Sequence, residues 1–259
     1  MQVVILCGGR GTRLGSESRI RPKPLVEIGE KPILWHIMKY YAMAGHKDFA
    51  LCLGHKGEMI KDYFLDYEII ENDVVVELGG GGTRTQLSCH SEEGWRVVLA
   101  NTGREANTGT RVKRIERYIQ GDEFMLTYGD GVSDVNLDEI LAFHRSHGRL
   151  ATVTAVHPPA RFGELIVSDE GRVTVFAEKP QTSRGLISGG FFVMKRGVFE
   201  YLNDDDTCSL EVDALVRLAQ EQQLMAFTHD GFWQCVDTVR ELTVLRHLWD
   251  SGHAPWRKW

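Results

Sequence analysis

Residues Val3–Leu6 are an unbroken apolar run that ends directly in Cys7-Gly8-Gly9-Arg10-Gly11-Thr12-Arg13-Leu14. Such a run, with no polar alternation, suits a strand buried on both faces, and that kind of strand belongs in a parallel sheet covered by helices. The glycines let the backbone approach a ligand closely and take up positive φ where a turn needs it. Successive N–H groups in a turn of this kind form an anion-binding concavity. Arg10 and Arg13 add fixed positive charge, and Lys23 adds more from the stiff segment Arg21-Pro22-Lys23-Pro24. Leu6, Cys7, Gly8, Gly9, Arg10, Gly11, Thr12, Arg13 and Lys23 are therefore predicted to cradle a polyphosphate.

Two better-known glycine patterns do not fit. No Lys-Ser or Lys-Thr follows these glycines, which excludes a P-loop. Gly9 and Gly11 begin a dinucleotide fingerprint, but Leu14 stands where its third glycine belongs.

Downstream, apolar runs alternate with helical periodicity. Pro32 opens a predicted helix carrying Ile33, Leu34, Ile37, Met38 and Tyr41, and Gly45 closes it. Further strands are predicted at Phe49–Leu53, Val74–Val76, Val97–Leu99, Phe124–Tyr128 and Thr152–Val156, with a short helix over Met59–Phe64. Asn107-Thr108-Gly109 leads into a helix with Val112, Ile115 and Ile119 on one side, and Asn136 caps another. The run Gly79–Gly82 and the aperiodic stretch Thr83–Trp95 read as a loop or flexible insertion. Beyond His157 come a hairpin (Glu164–Val167 with Val173–Ala177), a strand at Phe191–Met194, a helix over Leu210–Gln220, a strand at Leu224–Thr228 and a last helix through Trp249. The pattern predicts an α/β fold: a mostly parallel central sheet with helices on both faces, plus an α+β elaboration. The expected organisation is one domain, 1–259, with a nucleotide-binding half at 1–156 and a second half at 157–259.

A net charge of −6 argues against a nucleic-acid or anionic-membrane surface, so an anionic substrate must meet a local basic patch. The five cysteines lack C-x-x-C spacing, which disfavours a disulfide framework or zinc site. The first apolar run is too short for export, and no stretch is long enough to span a bilayer, so the cytoplasm is expected.

Asp130, between Gly129 and Gly131 just past a buried strand, suits either a cation ligand or a turn cap. Asp237, followed by Thr238, carries the same two readings. Lys179, between Glu178 and Pro180, reads on its own as a surface lysine paired with its neighbour. Arg111 lies just inside a helix start where N–H groups meet anions, or is simply solvated there. His144 and His147 are read as solvated, and Phe232-Trp233 as core.

Together, Leu6–Leu14, Arg21–Val26, Tyr128-Gly129-Asp130-Gly131, Glu178-Lys179-Pro180, Gly189-Gly190-Phe191-Phe192 and Phe232–Thr238 resemble the sugar-1-phosphate nucleotidylyltransferases. Their order, and the closing Ala254-Pro255-Trp256, resemble the members that use CTP and glucose 1-phosphate. The resemblance runs over essentially the whole chain. It implies a Rossmann-like nucleotidylyltransferase fold with a sugar-binding elaboration, a CDP-sugar and pyrophosphate as products, and assembly as a homo-oligomer. It implies catalytic roles for Arg13, Lys23 and Asp130, and Mg²⁺ held by Asp130 and Asp237. Thr108, Arg111 and Gly129 join the nucleotide site, while Tyr128, Gly163, Glu178, Lys179, Ser188 and Gly189 form the sugar-phosphate site. Ser188 departs from the family, whose usual Ile-Asn-Gly-Gly-Phe becomes Ile187-Ser188-Gly189-Gly190-Phe191 here. Spacing leaves UTP and dTTP open as alternatives to CTP, and leaves open a non-catalytic sensor of nucleotide sugars.

Overall fold

The computed structural model describes residues 1–259 apart from 12, 13, 16, 18, 19, 78–82, 87–93, 159–163 and 178–184. Its centre is a seven-stranded sheet of β1 (Gln2–Cys7), β2 (Asp48–Leu53), β3 (Arg96–Asn101), β4 (Glu123–Tyr128), β5 (Ala151–Val156), β6 (Ile187–Lys195) and β7 (Leu224–His229). The spatial order is β7-β5-β6-β4-β1-β2-β3. β1 runs parallel to β2 and β4, β2 to β3, and β5 to β7, whereas β6 is antiparallel to both its neighbours.

The apolar run in β1 is buried on both faces, as its lack of alternation predicts. Val3, Ile5 and Cys7 enter one hydrophobic cluster while Val4 and Leu6 enter the other. The first cluster packs beneath α1 (Ile33–Met43), α2 (Gly57–Leu65), α4 (Leu137–His147) and α6 (Val239–Asp250). The second lies beneath α3 (Thr108–Ile115) and the helix α5 from Leu210 to Gln220, whose first part, Leu210–Leu215, is wound as a π-helix. Two apolar layers thus sandwich one sheet, as a doubly wound α/β fold requires.

The C-terminal segment locks onto α1. Trp256 is fully buried, stacks on Phe232 with ring centroids 5.6 Å apart, and donates from Nε1 to His36 Nδ1 at 3.5 Å. Trp249 lies so close to Gly29 (φ +65°) that a β-carbon there would stand 2.1 Å from its Nε1. Trp233 is buried, and Phe232 packs against the same cluster, as expected for core residues.

Two expectations are corrected. Thr83–Gln86, within the stretch read as a loop, is a strand that pairs antiparallel with Val74–Glu77. The β-branched threonines of Thr83-Arg84-Thr85 favour strand without any apolar period to announce it. His144 is not solvated but wholly buried, and His147 is half-buried. Thr152 Oγ1 lies 2.8 Å from a ring nitrogen of each, which draws both histidines onto β5.

Candidate active site

β1 departs to β2 on one side and has β4 on the other, so the sheet changes winding direction between β1 and β4. Ligands in open α/β sheets bind beyond the carboxyl ends of the strands at that point. A cleft of about 500 Å³ lies there, bringing together Leu6, Cys7, Gly8, Gly9, Arg10, Lys23, Thr108, Arg111, Tyr128, Gly129 and Asp130. Thr12, Arg13, Gly163, Glu178 and Lys179 lie outside the described residues.

Lys23 sits on a short 3-10 turn, Lys23–Leu25, between its two prolines. Its ammonium donates to Asp237 Oδ1 at 2.7 Å and also to Asp130 Oδ2. Burial alone would lower the Lys23 pKa, but the charges and hydrogen bonds of Asp130 and Asp237 outweigh it and the pKa is raised. The two carboxylates meet because Gly131–Ser133 pairs antiparallel with Trp233–Cys235, and Val236 N donates to Asp130 O at 2.8 Å. Asp237 is not the cap of α6. Thr238 fills that role in a capping box with Glu241, whose carboxylate accepts from the N–H groups of Asp237 (2.7 Å) and Thr238 (2.8 Å). The Asp237 carboxylate is thereby left to face Lys23.

Asp130 and Asp237 thus converge on one positive charge supplied by the chain itself. That arrangement fits a divalent cation, since Mg²⁺ favours one or two carboxylates with phosphate oxygens completing its shell. Among the described residues no cluster of three or more His, Cys, Asp or Glu side chains is placed to hold a metal.

Arg111 is buried, and its guanidinium is engaged by backbone. Nη1 donates to Leu53 O (3.1 Å) and Gly103 O (2.7 Å), and Nη2 to Gly8 O (3.1 Å). It ties the glycine turn to the ends of β2 and β3, and burial lowers its pKa. Arg10 reaches across the cleft mouth to Glu105.

Glu211, in the π-helical start of α5, was not legible as a site residue. Its Oε1 accepts from Tyr128 Oη at 2.6 Å, and its Oε2 accepts from Thr108 Oγ1 at 2.6 Å and Ser209 Oγ at 2.9 Å. Withdrawal from water works to raise its pKa, but the hydroxyls of Thr108, Tyr128 and Ser209 outweigh that and hold it below the usual carboxylate value. In the sequence, Ser209-Leu210-Glu211 looks like any helix start with acids in its first turn.

Ser188 and Gly189 open β6 outside the cleft. Gly189 O accepts from Trp233 Nε1 at 2.7 Å, and Gly190 (φ +84°) leaves no room for a β-carbon, which would fall 2.5 Å from the Tyr128 ring. Ser188 is exposed and set opposite Ala155.

The nucleotidyl transferase family model matches residues 2–246. The chain belongs to the nucleotidyl transferase family. This nucleotidyl transferase is 46% identical over 260 residues to the glucose-1-phosphate cytidylyltransferase of Salmonella typhi, with 100% of both chains covered. It is 40% identical over 259 residues to the probable glucose-1-phosphate cytidylyltransferase of Bacillus subtilis, again covering 100% of both. Its fold is similar to the crystal structure of HddC from Yersinia pseudotuberculosis complexed with GMP-PN, with a TM-score of 0.68, 23% identity, and 96% and 99% of the two chains covered. It is also similar to UDP-glucose pyrophosphorylase complexed with UDP-glucose, with a TM-score of 0.67, 16% identity, and 97% and 98% covered. This nucleotidyl transferase is an enzyme of nucleotide-sugar chemistry, and among its described residues no helix is long and apolar enough to cross a membrane.

Proposed function

We propose that the chain transfers a cytidylyl group from CTP to α-D-glucose 1-phosphate, releasing pyrophosphate and CDP-glucose. The observation that carries the chemistry is the meeting of Lys23, Asp130 and Asp237 beside the glycine turn. CTP and glucose 1-phosphate come from the full-length relatives named above. In this reading the chain acts as one unit in the cytoplasm, as a homo-oligomer, with 1–156 serving the nucleotide and 157–259 the sugar.

A sugar 1-phosphate is largely dianionic near neutral pH, its second pKa being about 6, so its oxygen needs no general base. What it needs is alignment with the α-phosphorus and relief of crowded negative charge. The glycine turn offers N–H groups to the triphosphate, while Lys23 and Arg13 offset the charge that builds in the transition state. Asp130 and Asp237 would hold Mg²⁺, which when bound supplies Lewis-acid stabilisation. Thr108 and Arg111 belong to the nucleotide wall, Arg111 by holding the Gly8 carbonyl. Lys179 binds the sugar phosphate, and Tyr128, Gly163, Glu178, Ser188 and Gly189 form the sugar pocket, all six entering from the resemblance, whereas Arg13 also enters from its charge beside the glycine turn.

The test is pyrophosphate release measured across four nucleoside triphosphates and several sugar 1-phosphates. The expected maximum is CTP with glucose 1-phosphate. A maximum with UTP or dTTP overturns the base assignment, and no release with any pair favours a non-catalytic sensor. Direct transfer also predicts sequential initial-velocity kinetics; ping-pong patterns with a labelled enzyme intermediate would contradict it.

A further inference from the structure

Among the described residues, three that line the cleft carry hydroxyls: Thr108, Tyr128 and Thr207. Each gives its proton to a carboxylate. Thr108 and Tyr128 both donate to Glu211 at 2.6 Å, and Thr207 donates to Asp205 at 2.8 Å. A hydroxyl has one proton to donate and keeps lone pairs for acceptance, and an ionised carboxylate can only accept. Thr108 Oγ1 uses one lone pair for Leu210 N at 3.0 Å and keeps a second. On the same wall, Asn107 Oδ1 caps Thr108 N at 2.8 Å and one Nδ2 proton goes to Thr207 O at 3.3 Å.

We infer that Glu211, which does not itself line the cleft, sets base specificity by taking the Thr108 proton, so that the Thr108 hydroxyl accepts from the amino group of cytosine and repels the carbonyl that uracil or thymine carries there. The inference rests on the cytidylyl reading above and supplies a reason for it. Two further features fit. Glu211 lies in the π-helical start of α5, a winding that often marks functional positions. One carboxylate also holds hydroxyls from two elements, the start of α3 and the end of β4, so both keep one proton arrangement. A site built to accept from a ligand donor rejects a lone pair far more strongly than a merely apolar wall does. Glu211 is a positioning residue in this account, because it acts through Thr108.

The experiment is kcat/KM for CTP and UTP in the wild type, Glu211→Gln, Thr108→Val and the double variant, with folding checked by thermal melts. A Gln amide nitrogen facing Thr108 donates to that hydroxyl, whose proton is then free to turn into the cleft. Glu211→Gln is therefore expected to narrow the CTP/UTP ratio by about tenfold or more, partly through a gain with UTP. Thr108→Val should narrow it similarly, and the double variant should add little. A purely structural role would lower both substrates together and leave the ratio unmoved, and that result in both single variants overturns the inference. Should Glu211→Gln fail to fold, Thr108→Val alone decides, since Glu211 stays in place. A wild type that shows no CTP preference sinks the cytidylyl reading; a CTP preference unchanged by either variant sinks only this inference.

Discussion

Gly8 and Arg111 occupy mutually exclusive space: a β-carbon on Gly8 would stand 2.1 Å from the guanidinium carbon of Arg111, whose Nη2 donates to the Gly8 carbonyl at 3.1 Å. Gly54, at the end of β2, is placed likewise, with a β-carbon there 2.3 Å from Arg111 Nη1. The glycine turn is therefore shaped from behind by a buried cation. Gly8→Ala is expected to displace the guanidinium, and Arg111→Met to leave buried carbonyls without donors. Each should cost about 2–4 kcal/mol of stability, measured by urea unfolding. Full stability in both variants would mean that the turn holds its shape unaided.

Asp130→Asn and Asp237→Asn should each lower kcat by about a hundredfold or more while leaving the melting temperature nearly unchanged, as loss of a cation ligand predicts. Full activity of either variant, or of the wild type in EDTA, would remove the cation from the mechanism.

Lys23→Met exposes the two carboxylates to each other. Its expected cost is about 1–3 kcal/mol, at the lower end of a buried pair because Asp130 and Asp237 keep 29% and 21% of their side-chain exposure. Millimolar Mg²⁺ should restore part of that loss, read as a rise in melting temperature larger than in the wild type. An equal Mg²⁺ response in both proteins would separate Lys23 from the cation site.

Burial depresses His36 and His144 from 6.5 to about 4, helped at His36 by Arg257 and Lys31 and at His144 by His147. Both are wholly buried in the folded chain. The unfolded chain therefore binds more protons between these values, so their contribution to stability is complete above pH 6.5 and lost as pH falls towards 4. Each histidine should remove on the order of 2–3 kcal/mol over that window. Urea midpoints between pH 7.5 and 4.5 measure the slope, and His36→Gln should flatten it; an unchanged slope would place the acid sensitivity elsewhere.

The resemblance to the sugar-1-phosphate nucleotidylyltransferases implies an asparagine contacting sugar hydroxyls at position 188, where this chain has Ser188, which is shorter and has a single donor. Preference for glucose 1-phosphate over its galactose and mannose epimers should be weaker by roughly two- to tenfold, and partly restored by Ser188→Asn. The measurement is kcat/KM for the three sugar phosphates, and equal selectivity in both proteins would show that position 188 does not choose the sugar.

Much of the fold was legible because β1 and β2 carry apolar side chains to both faces, leaving few alternatives to a covered parallel sheet. The glycine turn and Asp130 stand out in the sequence because each directly follows a buried strand, and Lys23 because two prolines flank it. What stayed hidden was pairing across the chain. Nothing near Arg111 in sequence says that its donors close on the Gly8, Leu53 and Gly103 carbonyls. Glu211 looks like a helix-start acid until the fold brings it to Tyr128, 83 positions away. The burial of His144 came from Thr152 on β5, which local periodicity does not report.

Because β6 alone runs against its neighbours, Ser188 arrives at the ligand edge at the beginning of a strand, whereas Cys7 and Tyr128 arrive there at the ends of theirs. A strand that enters at the edge can exchange a side chain near its start without altering the turn that any exiting strand must make. On the proposed function, position 188 can therefore change over evolutionary time without disturbing the glycine turn, so a choice of sugar made there could be retuned separately from the triphosphate cradle.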